Sequence, residues 1–145
     1  MAQEKATLLR RRAGFMILAT AGVLCVTAAL LVGISDNPPG ILLCYGGVTS
    51  LILAFVHRWR EPRRFFLLLG WSFLGFVAGA IVHNLLGALG HGFPNLPAWF
   101  LGLLEVANVA AFLVAVLACP PGILVGLLGY LVVGIWQRTS RKQPG

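Results

Sequence analysis

The sequence predicts an all-α protein, a polytopic membrane bundle of four helices. Hydrophobic residues make up 59% of its 145 residues and charged residues only 10%, whereas a soluble domain has about 25% charged residues. Asp36 is the only charged residue in the stretch 13–56, and Glu105 is the only one in the stretch 65–137. Apolar runs of about 18 or more residues with almost no charge are typical of membrane-spanning helices. The composition therefore excludes a water-soluble enzyme, a nucleic-acid-binding domain and a disordered tail.

The net charge of +7 comes from three short basic segments, each beside an apolar run. Charges placed in this way are typical of loops that stay in the cytoplasm and face anionic lipid headgroups. A nucleic-acid-binding protein gathers its basic residues on a folded polar face instead, so the lipid bilayer is the expected partner and no nucleic acid is. We expect both termini on the cytoplasmic side of the plasma membrane. The basic residues are Lys5, Arg10, Arg11 and Arg12; Arg58, Arg60, Arg63 and Arg64; and Arg138, Arg141 and Lys142.

A proline-rich turn separates the first two predicted spans. Span one covers residues 13–34, which is too long for the hydrophobic region of a signal peptide, so we expect it to stay in the mature protein. The turn at 35–40 contains two adjacent prolines. Proline fits the first turn of a helix, where its missing N–H is not needed. Span two is therefore expected to begin near Pro39 and to end near His57.

A basic loop joins spans two and three, and Trp59 in this loop is well placed for the membrane interface. Its arginines serve as an orientation signal, or else they bind anionic lipid headgroups or a soluble partner. These lipid-headgroup candidates are Arg58, Arg60, Arg63 and Arg64. Span three is predicted over 65–89. It is followed at 90–98 by a loop that is rich in glycine and proline and has no lysine or arginine.

The last apolar segment, residues 99–136, allows two topologies. As one helix it would be about 57 Å long, too long for a single perpendicular crossing of a hydrocarbon core about 30 Å thick. The sequence Cys-Pro-Pro-Gly at 119–122 interrupts it, so it is either a hairpin of two spans, giving five, or one span with a kink, giving four.

Two observations favour four spans. Four spans place the basic C-terminal segment in the cytoplasm together with the N-terminus. A row of small residues also continues through the interruption at helical spacing. We therefore predict one transmembrane domain over residues 1–145, with the last helix broken at Pro120-Pro121. The row consists of Asn108, Ala111, Ala115, Ala118, Gly122, Gly126 and Gly129.

Glycines on span three and on the last span predict close helix packing. Gly75 and Gly79 stand four residues apart, as do Gly122 and Gly126. Small residues at this spacing allow a neighbouring helix backbone to approach within membranes. These glycines are expected to pack within the chain, or between protomers of a homo-oligomer or against a membrane partner protein.

Four polar residues in the apolar segments are candidates for binding a substrate or an ion, namely His83, Asn84, Glu105 and Asn108. An ionisable side chain inside a span is costly and is a functional candidate by default. With five spans, His83 and Glu105 would lie at similar depth and could handle protons or a cation. With four spans, Glu105 lies near the outer headgroups, and His83 makes an ordinary hydrogen bond between helices.

Sequence motifs for catalysis, metals and cofactors are missing. The three histidines are predicted at different depths, and the three cysteines have no CxxC spacing, so no metal or haem site and no disulfide framework is expected. No serine lies in a G-x-S-x-G context, and no P-loop spacing occurs. The sequence thus predicts a protein that is not an enzyme and has no cofactor.

Two segments, 75–86 and 119–126, resemble segments of small uncharacterised multi-pass membrane proteins of prokaryotes. The resemblance covers 20 of the 145 residues and implies a membrane fold without an assigned activity. The leading hypothesis is a non-enzymatic accessory or assembly component of the cytoplasmic membrane. The alternative is a small oligomeric transporter or channel that uses Glu105 and His83.

Overall fold

A computed structural model shows a chain that is helical throughout apart from short connections. It describes residues 2–34, 37–93 and 96–140, with side chains described from residue 12 to residue 139. Ser35 and Asp36 of the predicted turn, and Arg141 and Lys142 of the C-terminal basic segment, lie outside the described residues. The elements are α1 (Ala2–Val32), α2 (Pro38–Val56), α3 (Pro62–Gly92), α4 (Ala98–Leu113), a π-helical segment (Val114–Ala118) and α5 (Cys119–Ser140).

Four helical stretches of the described chain are long and apolar enough to cross a membrane. The last stretch joins α4, the π-helical segment and α5 into one bent helix of 42 residues. This confirms the predicted all-α fold with four spans, because the five-span alternative needs a turn at 119–122 where the helix continues. The stretches are Arg12–Val32, Pro38–Val56, Pro62–Gly92 and Ala98–Thr139. A chain built in this way is an integral membrane protein.

The irregular part of the last helix lies one turn before its two prolines. A proline has no N–H, and its ring clashes with the carbonyl four residues earlier. The strain is taken up ahead of Pro120 and Pro121 by a π-helical turn, in which the N–H of Cys119 donates to the carbonyl of Val114, five residues back. The interruption predicted at the prolines therefore takes the form of a π-helical bend in a continuous helix.

Helices α1 and α2 form the first hairpin, and two glycines let them approach closely. A methyl group built on Gly22 would lie 2.9 Å from the carbonyl oxygen of Gly47, and one built on Gly47 would lie 2.9 Å from the carbonyl oxygen of Gly22. At the turn between the helices, Gly33 adopts a φ of 91°, a conformation that side chains disfavour. Gly40 packs directly on the Gly33 carbonyl.

Helix α3 and the long last helix form the second hairpin, and α2 packs against α5 and the π-helical segment to join the two. At the end of α2 nearest the basic loop, the buried side chains of Val56, Phe65 and Val125 form a small apolar cluster. Among the described residues, α1 contacts no helix other than α2. The helices are therefore arranged as two hairpins side by side, with α1 at one edge.

The second hairpin extends further than the first at the end away from the basic loop. Helix α3 has 31 residues and α2 has 19. Counted from the cluster in which Phe65 packs with Val56, the far end of α3 extends about 14 Å further along the helix direction than that of α2. Over the described residues, α4 contacts neither α1 nor α2. The far ends of α3 and α4 therefore form an extension that projects past the first hairpin.

Candidate functional site

The imidazole of His83 holds α3 against α4. Its Nδ1 lies 3.3 Å from the main-chain carbonyl oxygen of Asn108. Because a carbonyl only accepts hydrogen bonds, this contact requires the tautomer with the hydrogen on Nδ1. The ring also packs on Phe112, with a centroid separation of 5.1 Å. The donor of this part-buried side chain is thus used in a bond between two helices.

The four polar candidates do not converge. The side-chain amide of Asn84 donates to the carbonyl oxygen of Ala80, 2.8 Å away on its own helix, and Asn84 is exposed. Glu105 is also exposed and has no hydrogen bond or ion pair among the described residues. Only His83 and Asn108 meet, and they do so through the main chain of Asn108.

Glu105 and Asn108 line a pocket of about 210 Å³ between α3 and α4 near the connection of the two helices. His91 lies on the opposite wall, and Gly87 and Gly90 leave the space open. The side-chain oxygen Oδ1 of Asn108 is buried and has no hydrogen-bond partner in the described part of the chain. A buried acceptor without a partner is costly. The pocket itself is lined by a carboxylate, an imidazole and the Asn108 side chain, which are groups that a hydrogen-bond donor or a cation can contact.

The four predicted packing glycines all lie between α3 and the last helix. A methyl group on Gly79 would lie 2.9 Å from the Cβ of Ala115, and one on Gly75 would lie 3.2 Å from the Sγ of Cys119. A methyl group on Gly126 would lie 2.7 Å from the main-chain nitrogen of Leu69, and one on Gly122 would overlap the side chain of Ser72. The close approach occurs within one chain.

Tyr45 forms a contact that the sequence analysis did not anticipate. Its hydroxyl donates to the main-chain carbonyl oxygen of Val116, at 2.7 Å, and links α2 to the π-helical segment. The sequence does contain a signal for it, since a pair of prolines leaves earlier carbonyls without backbone donors. Gly22 and Gly47 were also missed, because small residues are common throughout these apolar helices.

The basic loop is held in a fixed position at the end of α2 and α5. The side-chain amide of Gln137 donates to the main-chain carbonyl of Arg60 at 3.0 Å, and Trp59 packs edge-on against Phe65 with a centroid separation of 5.4 Å. Arg64 pairs with Glu61 at 3.0 Å. The remaining arginines of the loop are exposed and have no ion pair among the described residues, namely Arg58, Arg60 and Arg63.

A second and larger cavity lies beside this loop. It is an open groove of about 510 Å³ between α2 and α5, lined almost entirely by apolar side chains. Trp59 and Phe65 line its end at the loop, while Leu124 and Thr49 line the part that is furthest along the helices.

Comparisons with protein-family models, with curated proteins and with solved structures find no match to this chain. The resemblance to small uncharacterised multi-pass membrane proteins stays a prediction. Within the described residues, no three histidine, cysteine, aspartate or glutamate side chains are grouped so as to hold a metal ion. The candidate sites are thus the polar pocket between α3 and α4, the basic loop with its groove, and the exposed apolar surface of the α3–α4 extension.

Proposed function

We propose that this chain is a non-enzymatic accessory or assembly component of the cytoplasmic membrane that packs against another integral membrane protein. Both termini and the basic loop lie in the cytoplasm in this proposal, because all three basic segments then remain on one side of the membrane.

The apolar surface of the α3–α4 extension carries the proposal. The extension projects about 14 Å past α2. In a bilayer matched to α2, it enters the layer where hydrocarbon gives way to headgroups and water. It nevertheless presents large exposed apolar side chains, and neither α1 nor α2 covers them. Surfaces of this kind mark sites of interaction with other proteins. Those side chains include Leu85, Trp99, Leu103 and Val106.

The polar side chains within the spans support a structural role as well. His83 bonds to α4, Tyr45 bonds to the π-helical segment, and Asn84 bonds to its own helix. Bonds between helices, such as those of His83 and Tyr45, hold helices together in membranes, and the bond of Asn84 satisfies its amide within α3.

Affinity purification after extraction in a mild detergent tests this proposal. The tagged chain is expected to bring down a defined membrane protein in a fixed ratio. Replacing Leu103 and Val106 by glutamine should release that partner, since it puts two amides into the contact. The matched control replaces Leu30 and Leu31 of α1, which are also more than half exposed, and should keep the partner. The proposal is contradicted if the chain extracted from native membranes purifies without another protein. It is also contradicted if both pairs of variants retain the partner equally.

A second candidate function, a small oligomeric transporter or channel, is favoured by the pocket that Glu105 and Asn108 line, and by the buried Asn108 amide oxygen, which has no hydrogen-bond partner among the described residues. In this case His83 positions the main chain of Asn108 beside the pocket. Reconstituted into proteoliposomes, the native chain should then pass cations, and Glu105→Gln should abolish the flux. Glu61→Gln removes a carboxylate at the opposite end of α3 and should leave it unchanged. Native chain without flux removes this candidate.

A further inference from the structure

The groove between α2 and α5 has the length of one lipid leaflet. Its lining on α5 runs from Leu124 to Val133, about 14 Å of helix, and the hydrocarbon of one leaflet is about 15 Å thick. Its volume of about 510 Å³ is within the range of small-molecule pockets. Because its walls are apolar and it opens along the helices, a hydrocarbon chain that lies parallel to α5 fits it.

The end of this groove at the basic loop is suited to a phosphate. Arg58 and Arg60 flank Trp59, which lines the groove, and both arginines are exposed without an ion pair among the described residues. Guanidinium groups recognise phosphate through paired hydrogen bonds. The headgroup layer, where a phospholipid phosphate lies, is also where a loop with an interfacial tryptophan is found.

The fixed position of the loop distinguishes this site from a simple orientation signal. Orientation depends on how many basic residues a loop has and not on its conformation. Here Gln137 holds the carbonyl of Arg60, and Trp59 is half-buried against Phe65. The main chain that carries the two unpaired arginines is thus kept next to Trp59, at the end of the groove.

We propose that this groove binds one anionic phospholipid, with an acyl chain between α2 and α5 and the phosphate on Arg58 and Arg60. A second copy of the chain is a poorer occupant. Copies in one membrane share an orientation, so a two-fold contact along the groove would bring two identical basic loops together at the same depth. Like charges placed together in this way oppose association.

Quenching of Trp59 by brominated lipids tests this directly. The variant with Trp71, Trp99 and Trp136 replaced by phenylalanine keeps Trp59 as the only tryptophan of the chain, and circular dichroism checks its helix content. It is reconstituted into mixed vesicles of phosphatidylglycerol and phosphatidylcholine, with the brominated chain on one lipid or the other. Each arginine near an anionic headgroup favours binding about fivefold, so brominated phosphatidylglycerol should quench Trp59 at a several-fold lower mole fraction than brominated phosphatidylcholine.

Charge variants separate the site from general surface charge. In the single-tryptophan chain, Arg58→Gln with Arg60→Gln should bring the preference for phosphatidylglycerol close to one. The control pair, Arg12→Gln with Arg138→Gln, removes the same charge from the other basic segments and should keep the preference. The proposal is overturned if the two brominated lipids quench Trp59 equally in the chain with all its arginines. It is also overturned if both pairs of arginine variants lose the preference for phosphatidylglycerol to the same extent.

A third pair of variants tests the groove itself. Val132 lines the groove and Ile135 does not, although both are on α5 and are similarly exposed. Val132→Phe should fill the groove and weaken quenching by both brominated lipids, whereas Ile135→Phe should not. If neither brominated lipid quenches Trp59 in the chain that keeps Val132, then protein covers the groove. That result also overturns the proposal.

Discussion

The hydroxyl of Tyr45 on α2 donates to the carbonyl oxygen of Val116, 2.7 Å away, at a point in the last helix where the backbone supplies no donor. A helical carbonyl is bonded by the N–H three, four or five residues later. For Val116 those residues are Cys119, Pro120 and Pro121. The N–H of Cys119 is used on Val114, and the prolines have none. The tyrosine thus supplies the missing donor and joins the two hairpins in doing so.

Tyr45→Phe is expected to destabilise the protein, because it leaves the Val116 carbonyl without a donor in an apolar environment. Hydrogen bonds between membrane helices are worth about 0.6 kcal/mol on average and up to about 1.7 kcal/mol, and this one belongs at the upper end, since no alternative donor is at hand. Reversible unfolding in mixed micelles measures the change. Tyr130→Phe is the control, because the structure gives the Tyr130 side chain only a ring contact with Phe66.

Pro120→Ala is expected to reduce the effect of Tyr45→Phe. The alanine brings an N–H four residues after Val116, so the carbonyl regains a backbone donor. In a double-mutant cycle, the two changes together should cost less than the sum of the single changes. Strict additivity of the two changes would contradict the link between the tyrosine and the proline.

Gly126→Ala and Gly134→Ala are expected to change stability in opposite directions. A methyl group on Gly126 would meet the backbone of Leu69 at 2.7 Å, whereas one on Gly134 meets nothing within 4 Å. Overpacking a tight contact costs about 1–3 kcal/mol, while alanine is favoured over glycine in an open helix position by up to about 1 kcal/mol. Unfolding of the two variants in the same detergent measures both. If both variants were destabilised by the same amount, the prediction that packing decides the effect at Gly126 and helix propensity the effect at Gly134 would be wrong.

The C-terminus is expected on the same side of the membrane as the N-terminus, and reporters fused after Gly145 measure this. Four spans return the chain to the side from which it started. A reporter that works only in the cytoplasm and one that works only outside test the two possibilities. The same reporters placed between α3 and α4 should give the opposite result. A C-terminus on the far side would mean an odd number of crossings.

Two substitutions at His83 are expected to separate its two contacts. His83→Phe keeps an aromatic ring against Phe112 but removes the donor to the Asn108 carbonyl, so it should cost about 0.6 kcal/mol. His83→Ala removes both and should cost more. The unfolding free energies of both variants measure this. If His83→Phe were as damaging as His83→Ala, the hydrogen bond and not the ring packing would dominate.

The number and class of the helices could be predicted from hydropathy because long apolar runs have only one stable form in a bilayer. The ends of α3 were predicted less accurately than the number of helices. The predicted span 65–89 stops short of the observed Pro62–Gly92, since hydropathy ends a span at the first polar residues while the helix continues through them. The form of the proline interruption could not be predicted from the sequence either. Proline chemistry predicts a break, but the bend that forms is bonded by Tyr45, which is 71 residues away, and a contact so distant in sequence is not visible in the local pattern.

The candidate site could be predicted less well because it depends on which face of each helix meets which neighbour. His83 and Asn108 do meet, but the sequence does not reveal that the contact uses the main chain of Asn108. Asn84 follows His83 in the sequence, but its side-chain amide donates to a carbonyl of its own helix. The apolar groove was not predicted at all, since it depends on the separation of α2 from α5.

The unequal hairpins give the protein two hydrophobic thicknesses. Helix α2, with 19 residues, suits an ordinary bilayer, whereas α3, with 31, is suited to a thicker one. Mismatch costs a fraction of a kcal/mol for each ångström and is relieved by tilting or by deforming the lipid. A bilayer that matches α2 leaves the far ends of α3 and α4 outside its hydrocarbon, unless α3 tilts or the lipid thickens beside it. A partner protein that covers these ends would relieve the mismatch without either adjustment.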